Sequence, residues 1–236
     1  MAGNPMMLNK FFDNCTRTNI SAAIQEHCQE KSEYSMLVVG SPNAWEVKDI
    51  SAEVKAKTNL VCVDISNVFK NEFDSCTTGF KSSKFISSNI FTLQTDLKFD
   101  FIVNRWFLHH LTTQNKKDFF LKCKNMLLPE GMVISIDYFF TQFSNMEERL
   151  QCAAEYNKYR SLYSPEPSLE KFLSVVKDAE VENYRGGKMD CISNIQAMLS
   201  TINLLAEYCY TSDSVEVENP ELWGHYLLKV QNEVTN

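Results

Sequence analysis

Short continuous apolar runs alternate along this chain with stretches in which apolar residues recur every three or four positions. Residues 18–31 put Ile20, Ile24, His27 and Cys28 on one face of an amphipathic helix, with Thr18 or Asn19 as its cap. The run Met36–Val39 then reads as a buried strand entering the turn Gly40-Ser41-Pro42-Asn43. A helix over 45–57 and a second strand, Leu60–Val63 closed by Asp64, follow. Val68, Phe69 and Phe73 suit a short helix, Phe85-Ile86 a third strand and Phe99–Val103 a fourth ending at Asn104. Thr112 or Thr113 caps a helix to Leu128, which Pro129-Glu130-Gly131 stops before a fifth strand over 132–138.

The later part departs from this alternation. Residues 141–189 form an insertion with a small amphipathic helix on Leu169, Phe172, Leu173 and Val176. Ile192, Ile195, Met198, Leu199, Ile202, Leu205 and Cys209 predict one long helix. Ser214–Glu218 alternates like a half-buried strand, and 222–230 reads as another, joined to it by so short a turn that the two must be antiparallel. The expected fold is α/β, a Rossmann-like, mostly parallel seven-stranded sheet with an antiparallel last strand and a helical insertion or lid. One domain is expected over 1–236, with 1–33 as an N-terminal helical cap.

Composition narrows the classes of function. The 236 residues are 44% hydrophobic and 22% charged, an ordinary globular balance with only seven Gly and six Pro. A net charge of −7 disfavours nucleic acid as a partner. The eight cysteines are scattered, without a C-x-x-C pair or a His at ligand spacing, so they read as buried thiols in a reducing compartment rather than a disulfide framework or a metal site. The start, MAGNPMMLNKFFDN, lacks a secretory apolar stretch, and no run approaches the roughly 18 apolar residues of a membrane span. A soluble, cytoplasmic protein without membrane contact is expected.

The element order, with the block FDFIVNRWFLHHL (99–111) and then NMLLPEGMVISIDYF (125–139), resembles the class I S-adenosylmethionine-dependent methyltransferases over about 34–140 and 190–231. The resemblance implies S-adenosylmethionine as cofactor and a methyl transfer to an O or N atom of a small organic acceptor. An open α/β sheet binds ligands beyond the carboxyl ends of its strands. Asp64, followed by Ile65, stands where that family holds the ribose hydroxyls, although an Asp there also serves as a helix cap. The family's loop after strand one is an acid and then Gly-x-Gly-x-Gly. Here only Gly40 matches; Val38 stands at the acid, Pro42 and Ala44 replace the other glycines, and Ser41 or Asn43 would supply polar contacts.

Asn89 matches the adenine-contacting position, with Ile90 or Phe91 against the ring, and is equally a turn residue. Asn104 and Arg105 face the expected methionine region, with Trp106 beside the acceptor. His109 or His110 is the candidate base, since imidazole takes a proton near neutral pH. Phe139, Tyr156, Tyr159, Arg160 and Tyr163 are candidate pocket walls. A homodimer is the candidate assembly. The broken glycine loop keeps a non-catalytic binding or regulatory protein as the alternative. A nicotinamide-dependent oxidoreductase is disfavoured, because no Gly-x-Gly-x-x-Gly follows strand one.

Overall fold

A computed structural model describes residues 17–28, 31–41, 43–67, 70–140, 142–161, 190–210 and 223–232. Helix α1 (17–27) precedes β1 (Tyr34–Val39). Next come α2 (Ala52–Lys57), β2 (Thr58–Asp64), α3 (Lys70–Cys76), β3 (Ser82–Ser87), β4 (Phe99–Arg105), α4 (Thr113–Met126) and β5 (Leu127–Phe140). The chain continues through α5 (Met146–Ser161), α6 (Ile192–Ser200), β6 (Leu204–Tyr210) and β7 (Trp223–Asn232).

The strands form one seven-stranded sheet in the order β3-β2-β1-β4-β5-β7-β6. The pairs β1–β2, β1–β4, β2–β3 and β4–β5 are parallel, whereas β7 runs antiparallel to both β5 and β6. This is the expected mostly parallel sheet with its antiparallel last strand. Order reverses between β1 and β4, which creates the switch point where an open sheet leaves a crevice.

Alternating side chains feed two cores, one on each face. Leu37, Val39, Val63 and Ile102 pack with Phe119, Phe120 and Cys123 of α4 and Ile195 and Leu199 of α6. Met36, Val38, Cys62 and Val103 pack on the other face with Ile20 and Ile24 of α1, Val54 of α2 and Phe73 of α3. Ile20 and Ile24 are fully buried, as their spacing predicts, but the helix already runs from residue 17, so Thr18 and Asn19 lie within its first turn. Thr112 caps α4 by accepting from Asn115 N at 3.2 Å.

Three expected elements are corrected. The helix over 45–57 divides into a single 3-10 turn, Trp45–Val47, and α2, because Ser51 starts a new helix by accepting from Val54 N. The long helix over 192–209 stops at Ser200. Asn203 takes a left-handed φ of 56°, and Lys124 of α4 donates to the Ile202 carbonyl at 2.8 Å, satisfying a carbonyl that helix continuation would have used. Leu204 is then 1% exposed and Leu205 55%, the alternation of a strand. The hairpin partner of β7 is therefore β6, and the strand expected at 214–218 lies outside the described residues. The fifth strand also begins earlier than expected. Leu127 pairs with Phe99 and Met132 with Phe101, so Pro129-Glu130-Gly131 bulges from a continuous strand. Val68 and Phe69, and the helix expected on Leu169, Phe172, Leu173 and Val176, lie outside the described residues.

Candidate functional site

A hollow of about 500 Å³ opens beyond the carboxyl ends of β1, β2 and β4. Its size suits a small molecule. Gly40, Asp64, Ile65, Asn89, Ile90, Trp106 and His110, all singled out in the sequence, line it together. Phe91 and Phe107 add apolar walls and Ser66 and Ser88 add hydroxyls.

Gly40 follows β1 with φ +74° and donates its N–H to the Val63 carbonyl at 3.0 Å, tying the loop to β2. A Cβ there would stand 2.6 Å from Cδ2 of Phe107, whose ring packs on Phe119 at 5.1 Å. The rest of the loop folds without the missing glycines. Ala44 adopts φ 54°, and Asn43 accepts from Trp45 N at 3.3 Å. Asn43 also donates to Glu72 at 3.1 Å, while Ser41 is buried, so neither lines the hollow.

Asp64 ends β2 and accepts from Ser66 N at 2.6 Å through Oδ1. The capping role read from the sequence is thus spent on a turn, and Oδ2 takes no donor among the described residues. Partial burial pushes the Asp64 carboxyl above its ordinary range; the Ser66 N–H opposes this and the nearby Glu46 charge adds to it. Asn89 accepts from Phe91 N at 3.0 Å, a turn role, and also lines the hollow.

The β4 end carries a second group of residues. Asn104 is fully buried and accepts from Ser135 Oγ at 2.6 Å, so it packs beneath the strand ends rather than lining the hollow. Arg105 binds Glu46 at 3.1 Å and lies 4.2 Å over the Trp106 ring. Trp106 has φ 52° and stacks on Tyr138 at 5.8 Å.

Behind them stands an imidazole–carboxylate dyad. Asp137, on β5, has no exposed surface; its Oδ1 lies 2.6 Å from His109 Nδ1 and its Oδ2 accepts from His109 N at 3.1 Å. Burial would raise the Asp137 carboxyl, but the His109 imidazole and the N–H groups of Tyr138 and His109 draw it below its ordinary range. The His109 and His110 rings are 4.0 Å apart. Asp137 escaped the sequence reading although an acid inside Ile134–Phe140 was a visible signal. Glu46, 3% exposed, carried none.

Phe139 is buried against Tyr226 in the core and not in the hollow. Tyr156, Tyr159 and Arg160 fall on α5, with their side chains outside the described set, and Tyr163 lies outside the described residues. Among the described residues no helix is long and apolar enough to cross a membrane.

Residues 37–135 match the family model described as a methyltransferase domain. No curated protein matches the chain in sequence. Solved structures do. The N-methyltransferase NodS from Bradyrhizobium japonicum is 12% identical, with a TM-score of 0.56 over 94% of this chain and 98% of that one. Magnesium protoporphyrin IX methyltransferase from Synechocystis, solved with bound S-adenosylhomocysteine, is 10% identical, with a TM-score of 0.56 over 94% of this chain and 84% of that one. Mitomycin 7-O-methyltransferase MmcR is 9% identical with a TM-score of 0.58; the match takes in 91% of this chain but only 53% of that one, so the chain spans about half its length. The hollow brings together a carboxylate, an apolar wall and a glycine, groups that would suit a nucleoside cofactor. Residues 37–135 thus match a methyltransferase domain, and the mostly parallel, Rossmann-like sheet with its reversed final strand is the fold of these solved methyltransferases.

Proposed function

We propose that the protein transfers a methyl group from S-adenosylmethionine to an O or N atom of a small organic molecule. The observation that carries this reading is the hollow holding Asp64, with the His109–Asp137 dyad behind its Trp106 and His110 wall. Asp64 Oδ2 would accept from the ribose hydroxyls, and Ile90 and Phe91 would pack on the adenine while the Asn89 amide donates to a ring nitrogen. When bound, S-adenosylmethionine supplies a methyl already activated on a sulfonium. The protein's part is alignment, exclusion of water and removal of a proton from the acceptor.

His109 suits that last task. Its Nδ1 is committed to Asp137, which favours the tautomer with the proton on Nδ1 and leaves Nε2 as the accepting nitrogen. His110, exposed on the hollow's edge, would meet the acceptor rather than the nucleoside.

Binding and turnover separate this reading from its rivals. In calorimetric titration the protein should bind S-adenosylmethionine and S-adenosylhomocysteine, and not NAD. Asp64→Ala should weaken both by about 10–100-fold, since hydrogen bonds to a charged group are worth about 1.5–3 kcal/mol. Formation of S-adenosylhomocysteine with members of a library of small phenols, alcohols and amines should follow, and binding by NAD alone would overturn the assignment. A loop with a single glycine and Ala44 in the left-handed region favours the second reading, a protein that binds the nucleoside without transferring the methyl. Tight binding with no product from any acceptor class would decide for it.

A further inference from the structure

One turn into α4 lies a lysine that the proposed reaction leaves unused. Lys116 is 2% exposed, and its Nζ stands 3.6 Å from Oδ2 of Asp190, just ahead of α6. A buried ammonium has lost its hydration, and the start of a helix is the end whose dipole disfavours a cation. Packing alone gives no reason to keep a lysine there.

The surroundings supply one. Three and four positions on, Phe119 and Phe120 pack in the same core as Val133 and Phe139 of β5, so Lys116 shares the inner face of α4. Asp137 alternates with Ile136 and Tyr138 and lies on the same side of the sheet as Val133 and Phe139. Helix α4 therefore sets Lys116 over the layer in which Asp137 holds His109. Burial pulls the Lys116 ammonium below its ordinary range; Asp190 and Asp137 oppose this, and Arg149 of α5 adds to it. The charges balance, Lys116 and Arg149 against Asp137 and Asp190. His110 and Tyr138 are further ionisable groups at the His109 imidazole, their rings 4.0 and 5.8 Å from it.

Asp190 is itself held in place. Its Oδ1 accepts from Cys191 N at 3.2 Å and from Asn194 Nδ2 at 3.0 Å. Its carbonyl accepts from Phe140 N at 3.0 Å, at the end of the strand that carries Asp137. The Lys116–Asp190 pair is thus fixed to the strand that also bears the dyad's carboxylate.

We propose that Lys116 is a positioning residue: paired with Asp190, its ammonium balances the Asp137 carboxylate and thereby sets how readily His109 takes a proton. The inference rests on the reading of His109 as the base. A positive charge in this layer opposes a second proton on the imidazole, which favours the form able to take one from the acceptor.

The test follows the His109 ring by proton NMR through a pH titration, with its signal assigned by its loss in His109→Gln, and needs no turnover. Lys116→Met removes the cation and should raise the titration midpoint by about half a pH unit or more. Asp190→Asn removes an anion and should lower the midpoint, and the double variant should return it close to wild type. Opposite signs separate charge from shape, since a role in packing alone would move both variants the same way or neither. Asp190→Asn decides by itself if Lys116→Met fails to fold. Unmoved midpoints, or shifts in one direction, would overturn the proposal, while S-adenosylhomocysteine formation by the wild-type protein would leave the base reading standing. Midpoints that shift as expected, with an acid limb of kcat that does not follow them, would uphold the charge coupling and overturn His109 as the base instead.

Discussion

At Gly40 two constraints act on one backbone position: φ is +74°, and the space a Cβ would need is filled by Phe107. Gly40→Ala should cost about 1–3 kcal/mol, the range for a strained left-handed residue. For a chain of this size that lowers the midpoint of thermal unfolding by roughly 3–10 °C, with nucleoside affinity falling alongside; an unchanged midpoint would contradict the geometry. His109 is constrained instead by chemistry. His109→Ala should reduce kcat by about 10²–10⁴-fold, the usual share of a general base, while the dissociation constant for S-adenosylhomocysteine stays near wild type. If both parameters fall together, the imidazole holds the site's shape and does not move the proton. The sequence discloses some of these residues and hides others. Asp64 is legible because it closes the apolar run Leu60–Val63, and Gly40 because it closes another. Glu46 is not, since nothing in a string of letters tells a buried acid from a solvated one on a turn.

Among the elements, the β4–β5 junction makes the sharpest claim. Gly131 sits where a Cβ would lie 2.7 Å from the Phe99 carbonyl and 3.1 Å from Leu128 N. Both are backbone atoms of the bulge that sets the register, and backbone yields less readily than a flexible side chain. Gly131→Ala should therefore cost about 1–3 kcal/mol, read as a lower urea midpoint with an unchanged slope. The parallel strands β1, β2 and β4 are legible as apolar runs because both their faces are covered. The boundary between α6 and β6 is not. Leu205 fits the helical period of Ile195, Met198 and Ile202, and only the left-handed Asn203 and the Lys124 cap reveal that the chain has turned. Local pattern loses there to a tertiary contact from another helix. The dyad is hidden for the same reason, its two members being 28 positions apart in the chain.

Over the whole molecule, Asp137 ties the acid limb of stability to the site. Its folded carboxyl lies below the ordinary value of about 3.9, so the native state holds an advantage at higher pH that disappears as pH falls through the folded value. Asp137→Asn removes that contribution. The stability gap between wild type and variant, measured by urea unfolding, should be full at neutral pH and shrink below about pH 4. A gap that stays constant down to strongly acid solution would mean that the carboxylate gains nothing from His109. Phe107 extends this coupling of site and scaffold. Its ring is wedged between Phe119 and the bare backbone of Gly40, so two loops on neighbouring strands already share one rigid seam before any nucleoside arrives. Binding then need not freeze those loops, and little configurational entropy is surrendered at that moment. The signature would be amide hydrogen exchange at Gly40 and Phe107 that is slow in the free protein and changes little on saturation.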